Sequence, residues 1–393
     1  LYSMVPRKHL ATRSVHLCFG DGQRYNWHGP DYFLRKLAAE YRNPHAQWVA
    51  DLQEERGATR DGGAFLNLAW ADPTVPSETP ANLPTFRHFD DKDVVVMRSG
   101  WDGEESVFGF KCGPHDGHKA MEEYPQSLDG HHNAPDAGTF LLFSQGDWLV
   151  SEGGYARKFT AYHNTALVNG IGQTGEPKDE DQNWFEELEL RRERRFPRVL
   201  RADSSETCDY VIGDAAPAYE HEAGLRRFLR HVLYVKPDCW IIADELAASE
   251  PSTFDVYFHA WGENFQTDRP FEPVDECEWE TGGEQGRLRI TALSPAPIEG
   301  HPEIQSIEGI GAHRDREMCV LRVRNADASH SALIVTVLNA FPAGGSPRYT
   351  ATLATEDNGV QIIGLQGAEQ KREVVVRPWQ EDPTEPALQL KQG

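Results

Sequence analysis

Histidine, tyrosine and carboxylate side chains are concentrated between residues 130 and 176. His132 and Asp136 open this stretch, Glu152 and Tyr155 follow an apolar segment, and His163 precedes another. Imidazole, phenol and carboxylate groups are the side chains that most often transfer protons in enzymes. Imidazole and carboxylate groups also bind metal ions. If the fold brings these five residues together, the pattern predicts either proton-transfer chemistry or a metal site.

A predicted β-hairpin must position these side chains. Residues 139–143 and 148–150 are apolar runs, and a Gln-Gly-Asp turn at 145–147 separates them. A third apolar run, residues 165–168, follows His163. We expect this arrangement to bring the five side chains to one end of one sheet, on a rigid platform.

Four further residues are candidates for binding a ligand: His115, His131, Arg157 and Tyr162. The arginine could pair with an anionic group of a ligand, and the tyrosine could pack against a ligand or form a hydrogen bond with it. His115 lies in a loop with glycine and proline that could overhang a cleft. The ordinary alternative for each remains open, because exposed arginines are usually solvated and tyrosines beside turns usually pack.

Composition limits the possible partners of the chain. It has 393 residues, with 39 Lys and Arg against 62 Asp and Glu, and a net charge of −23. This charge disfavours nucleic acid and anionic membranes as partners, and an anionic ligand would need a local basic pocket. The six cysteines are scattered without a CxxC pair, and no apolar run reaches membrane-spanning length. The chain begins Leu-Tyr-Ser-Met without a signal-peptide pattern, so we expect it to start inside a longer protein.

The order of patterns along the chain predicts a mainly β protein. Residues 1–75 are helical in character, and 76–92 are a linker rich in proline. Many short alternating segments follow, which predict a large antiparallel β-sandwich of several sheets over 93–340. One of these predicted strands spans 187–196. Residues 341–393 are predicted to form a small terminal sheet.

The stretch around the hairpin resembles the signature of the heparinase II/III-like polysaccharide lyases. In that family a histidine-containing turn enters a hairpin, and a Gly-Tyr turn and a His-Asn-Thr strand follow. The matching residues here are His132, Asp136, Gly138, Thr139, Phe140, Gly154, Tyr155, His163, Asn164, Thr165, Gly170 and Gln173. Two positions depart from the pattern, because Ala134 replaces the second histidine of the turn and Glu152 replaces an aspartate.

The resemblance implies both a fold and a reaction. The helical residues 1–75 resemble the end of an (α/α) toroid, which precedes a β-sandwich in the family. The implied function is exolytic β-elimination of a uronate-containing polysaccharide such as alginate or a heparin-like chain. His132 corresponds to the catalytic histidine, and Tyr155 could donate a proton or contact sugar. The family's toroid supplies a catalytic tyrosine that no part of this chain matches, so the site is expected to be incomplete here. A periplasmic or secreted location and a homodimer agree with this family.

The resemblance also implies a structural zinc ion. Its ligands would come from the positions of Ala134, Glu152 and His163, with Asp136 as a possible substitute. Because alanine offers no ligand atom, we predict that metal occupancy is weak or absent.

Two other functions stay open at this point. The chain could be a non-catalytic carbohydrate-binding β-sandwich, which would keep the fold without the reaction. It could also be a sandwich glycosidase, which requires two carboxylates facing a cleft, and Asp136 with Glu152 is the pair available.

Overall fold

The computed structural model describes residues 1–5, 16–20, 31–55, 64–126, 132–178, 188–260, 269–310, 315–356, 360–368 and 370–391. The helices in these ranges are α1 (Asp31–Tyr41), α2 (Pro44–Glu55), α3 (Ala64–Trp70), α4 (His118–Glu123) and α5 (Leu188–Glu193). The first ten strands are β1 (Phe86–Phe89), β2 (Val94–Arg98), β3 (Val107–Lys111), β4 (Thr139–Ser144), β5 (Asp147–Val150), β6 (Ala166–Val168), β7 (Arg198–Ser204), β8 (Cys208–Asp214), β9 (Leu225–Val235) and β10 (Cys239–Ser252). The remaining strands are β11 (Phe254–Ala260), β12 (Glu272–Asp275), β13 (Glu278–Gly282), β14 (Gly286–Leu293), β15 (Ile298–Ile307), β16 (Arg316–Asn325), β17 (Ser329–Pro342), β18 (Thr350–Thr355), β19 (Gln361–Gln366), β20 (Lys371–Val376) and β21 (Leu388–Leu390).

These strands form four antiparallel sheets in the described part of the chain. A five-stranded sheet runs in the order β1-β2-β3-β4-β5, and an eight-stranded sheet in the order β12-β13-β14-β17-β10-β9-β8-β7. Two four-stranded sheets have the orders β15-β16-β11-β6 and β18-β19-β20-β21. The predicted fold class, an antiparallel multi-sheet β-sandwich after a short helical segment, is confirmed.

The eight-stranded sheet is the middle layer of the sandwich. Along its central strand β10, Trp240 and Ile242 pack in the core shared with the five-stranded sheet and the sheet of β6 and β11. The alternate residues Ile241 and Ala243 pack in a second core with the sheet β18-β19-β20-β21. Because successive side chains point to opposite faces of a strand, a strand between two cores must be apolar on both faces. Residues 239–246 are accordingly buried without interruption.

The N-terminal helices α1 and α2 pack on each other through small residues and an ion pair. Ala38 and Ala50 are fully buried, and the Arg35 guanidinium donates to Asp51 at 3.0 Å. Large apolar side chains stay exposed on these helices and on α3, among them Tyr41 and Leu68. No helix of the described ranges is long and apolar enough to cross a membrane.

One predicted strand is wrong. Residues 188–193 form helix α5, although their alternating pattern favoured a strand. Tertiary contacts decide the outcome, since Leu190 is buried and the Arg191 guanidinium donates to the Ala120 and Tyr124 carbonyls at the end of α4. The predicted linker also contains strand β1, which pairs with β2. The division of the chain into domains stays a prediction.

Candidate functional site

The predicted hairpin is present and consists of β4 and β5. Its turn residues Gln145 and Gly146 have φ values of 55° and 84°. Two consecutive positive φ values are typical of a type I′ turn, which matches the twist of paired strands. The hairpin carries Thr139 at its start and Glu152 just after its end.

His163 does not lie at the end of the same sheet, contrary to the sequence prediction. The strand that follows it, β6, pairs with β11 in a different sheet. The buried Asn164 joins the two sheets, because its amide donates to the Phe140 and Ser151 carbonyls at 2.8 and 2.6 Å. The side-chain oxygen of Asn164, Oδ1, accepts from the His259 backbone N–H at 2.8 Å. The five candidate residues therefore come from two packed sheets.

His132 and Tyr155 are neighbours at the protein surface. Their ring centroids are 6.1 Å apart, His132 is exposed and Tyr155 is half-buried. The Lys158 ammonium lies 5.5 Å from the centroid of the Tyr155 ring. Burial lowers the pKa of Lys158 to about 7, because the charged form loses its hydration. An imidazole, a phenol and an amine are thus grouped where a ligand could reach the first two.

The four other candidates are placed differently. His131 lies outside the described residues. Arg157 is committed to an ion pair with Glu308 at 2.6 Å, and the Tyr162 hydroxyl accepts from the Glu308 backbone N–H at 3.3 Å. Tyr162 is buried, so neither side chain is arranged to bind sugar in this conformation. Their assignment to a sugar site stays a prediction, which this placement does not favour.

His115 is inside the protein and not on an overhanging loop. It is 4 % exposed, and burial lowers the pKa of its imidazole to about 3. The neighbouring Asp116 pairs with Arg191 and accepts from the Asn133 amide at 3.3 Å. The loop therefore packs beside the His132 turn, and the His115 ring is buried away from the surface.

The predicted metal-binding residues form a buried cluster. One ligand atom from each of Asp136, Glu152 and His163 lies within 4.8 Å of the others. Glu152 accepts from the Thr139 hydroxyl at 3.0 Å, and the same oxygen is 2.9 Å from His163 Nδ1. Both carboxylates are nearly inaccessible, so this pair does not face a cleft as a glycosidase requires.

Sequence reasoning missed a cation in this cluster. The Lys111 ammonium donates to both oxygens of Asp136, at 2.6 and 2.8 Å. The Lys111 charge, together with His163, keeps the pKa of Asp136 below its usual value despite complete burial. The only sign of Lys111 in the sequence was a lysine at the end of an apolar strand. No local pattern relates it to Asp136, which lies 25 residues later.

Arg230, a second residue that the sequence analysis did not identify, connects the cluster to the eight-stranded sheet. Arg230 is fully buried and forms a bidentate pair with Asp244 at 2.7 and 2.9 Å. Its guanidinium also donates to the Gly138 and Asn164 carbonyls, at 2.6 and 2.5 Å. These bonds fix the turn after Asp136 relative to the eight-stranded sheet. Charged and apolar residues mix along β9, as in a strand with one solvent-exposed face, so the sequence alone does not single out Arg230 as buried.

As arranged, the cluster does not fit a zinc ion. Zinc requires three or four donors at about 2.0–2.3 Å in a tetrahedral array. Asp136 is already bound on both oxygens by an ammonium, and Glu152 and His163 bind each other. Ala134, which is buried, supplies a methyl group where a further donor would be needed.

Residues 81–358 match the family model described as Heparinase II/III-like, C-terminal. The chain belongs to the heparinase II/III-like family. The match covers the hairpin, the His132 turn and the His163 strand, as the resemblance in the sequence predicted.

Two solved structures are similar to this heparinase II/III-like chain. Heparan sulfate lyase from Pedobacter heparinus superposes with a TM-score of 0.60 at 13% identity, over 93% of this chain and 51% of that one. A heparinase III structure superposes with a TM-score of 0.59 at 16% identity, over 95% and 52%. At these identities the likeness shows the fold alone. The chain spans about half the length of these structures.

Proposed function

We propose that this chain is the C-terminal part of a polysaccharide lyase that cleaves a uronate-containing polysaccharide by exolytic β-elimination. Alginate and heparan-like chains are the substrate classes we consider. The observation that carries the proposal is the exposed imidazole of His132 beside the ring of Tyr155, next to the β4–β5 hairpin. A soluble anionic saccharide as partner implies a periplasmic or secreted location.

The reaction needs two proton transfers that this pair could make. A base removes the proton on the carbon next to the uronate carboxylate, and that electron pair forms a carbon–carbon double bond. The bond to the glycosidic oxygen on the next carbon then breaks, and an acid protonates the departing oxygen. An imidazole and a phenol near each other are suitable groups for these steps.

Local charge supports an anionic substrate despite the net charge of −23. The Lys158 side chain lies 5.5 Å from the centroid of the Tyr155 ring, and a charge this close acts more strongly than distant ones screened by salt. The Arg157 charge is partly offset by Glu308.

A lyase assay with matched histidine variants tests the proposal. The chain is incubated with alginate, polyguluronate, polymannuronate and heparan sulfate, and the ultraviolet absorbance of the unsaturated product is followed. We expect His132→Ala to lose about 10²- to 10⁴-fold in rate, the range that a general acid or base contributes. His330→Ala, an exposed histidine in the eight-stranded sheet, should keep full rate. Equal rates for the two variants would contradict the proposal.

A non-catalytic carbohydrate-binding β-sandwich is the second candidate, because antiparallel sheets make up most of the described fold and such a module would keep that fold without the reaction. Saccharide binding without unsaturated product would support the module. New reducing ends without unsaturation would instead support a glycosidase.

A further inference from the structure

The buried cluster of Asp136, Glu152, His163 and Lys111 is held by hydrogen bonds and ion pairs within the chain. Asp136 is fully buried, and Glu152, His163 and Lys111 are each at most 8 % exposed. Such a group of charges is stable inside a protein only when the charges balance and the polar atoms are bonded. The question is which cation balances the two carboxylates.

Lys111 is positioned to be that cation by the backbone of the five-stranded sheet. It is the last residue of β3 and stands opposite Thr139 in the β3–β4 register. Its carbonyl oxygen accepts from the Gly138 N–H at 2.8 Å. The ammonium therefore approaches Asp136 from a paired strand, and both Asp136 oxygens are within 2.8 Å of it.

The rest of the cluster is also bonded within the chain. Glu152 uses one oxygen for the Thr139 hydroxyl and His163 Nδ1, and the other accepts from the Gly20 N–H at 3.2 Å. A zinc ion could bind here only if these bonds broke. Tetrahedral bonds of about 2.1 Å place the ligand atoms roughly 3.4 Å from each other, whereas the ligand atoms of this cluster are up to 4.8 Å apart. Zinc would also place a dication beside an ammonium.

We propose that the Lys111 ammonium replaces a metal ion as the cation that holds Asp136 and the turn after His132. Lys111 is thus a positioning residue that acts through Asp136. The chain needs no metal to form this site, and the substitution of Ala134 for a ligand histidine is matched by the lysine on the neighbouring strand. This inference does not depend on which saccharide the chain binds.

The first test measures metal in the unmodified chain. The protein is unfolded, refolded with and without Zn²⁺, dialysed, and analysed for zinc content and thermal midpoint with and without a chelator. We expect far less than one zinc per chain and a thermal midpoint that neither Zn²⁺ nor the chelator shifts. One retained zinc per chain, or a midpoint that falls on chelation, would overturn the inference.

The second test removes the lysine and restores a ligand. Co²⁺, whose visible spectrum reports tetrahedral coordination, is titrated into Ala134→His and into the double variant Lys111→Ala with Ala134→His. We expect the double variant to bind Co²⁺ at least about 10-fold more tightly than the single variant, because the competing ammonium is gone. Equal affinity in the two would show that Lys111 does not exclude the metal and would overturn the inference.

A matched lysine controls for loss of any buried ion pair. Lys236 binds the fully buried Asp209 at 2.8 Å elsewhere in the molecule. Lys236→Ala combined with Ala134→His should bind Co²⁺ no better than Ala134→His alone. If it binds as well as the Lys111 double variant, the effect is unspecific and the inference fails. Should the Lys111 double variant not fold, the zinc content and chelator response of the unmodified chain decide the matter.

Discussion

The two halves of the candidate site use similar side chains for opposite purposes. In the lower half, Asp136, Glu152 and His163 are buried and bonded to partners within the chain. In the upper half, His132 is exposed and Tyr155 is half-buried, although both lie within the same stretch of sequence. Residue type alone therefore does not distinguish a side chain that stabilises the fold from one that could take part in a reaction. Burial separates them.

Breaking the lower half should lower stability most. Asp136→Asn removes the carboxylate and leaves the Lys111 ammonium buried beside a neutral amide. Breaking a buried pair in this way costs about 3–5 kcal/mol, which we expect to see in the free energy of unfolding from urea titrations. Glu122→Gln, which breaks an exposed pair with Arg194, should change it by less than about 0.5 kcal/mol. Similar losses in both variants would show that burial of the pair is unimportant.

Changing the upper half should lower rate without lowering stability. Tyr155→Phe keeps the ring but removes the hydroxyl that could protonate the leaving oxygen. We expect the lyase rate to fall about 10²-fold, with an unchanged free energy of unfolding. Tyr41→Phe, at an exposed tyrosine of α1, provides the control. An unchanged rate in the Tyr155 variant would assign that residue to packing alone.

Lys158 is buried beside the Tyr155 ring and should give the smallest effect. Burial lowers its pKa from 10.5 to about 7, so above pH 7 the folded chain has lost a proton that the unfolded chain keeps until about pH 10. Folding then releases a proton, and stability from this group rises with pH by up to about 1.4 kcal/mol per pH unit between these values.

The measurement compares unfolding free energies at pH 7, 8 and 9. The unfolding free energy of the unmodified chain should increase with pH relative to that of Lys158→Met, by up to the slope given above. Lys36→Met, an exposed lysine of α1, should show a constant difference. Parallel curves for Lys158→Met would mean that its amine is not desolvated.

Local sequence patterns predicted those parts of the fold that neighbouring residues control. The hairpin followed from two apolar runs separated by a glycine-containing turn, and helices α1, α2 and α3 lie within the residues 1–75 that were predicted to be helical. The same reasoning failed for α5, because its residues alternate like a strand but Arg191 docks on the end of α4. Such a contact joins residues about 70 positions apart and leaves no local pattern.

The site shows the same division. The sequence by itself determined which residues could do chemistry, the family that they resemble and the β-rich fold, since these depend on residue type, order and spacing. Only the tertiary structure decided that His163 enters from a second sheet and that Lys111 neutralises Asp136. It also decided that His115 is buried while His132 is exposed. The physical reason is that burial and charge pairing arise between distant strands when sheets pack, and no local spacing encodes which strands will meet.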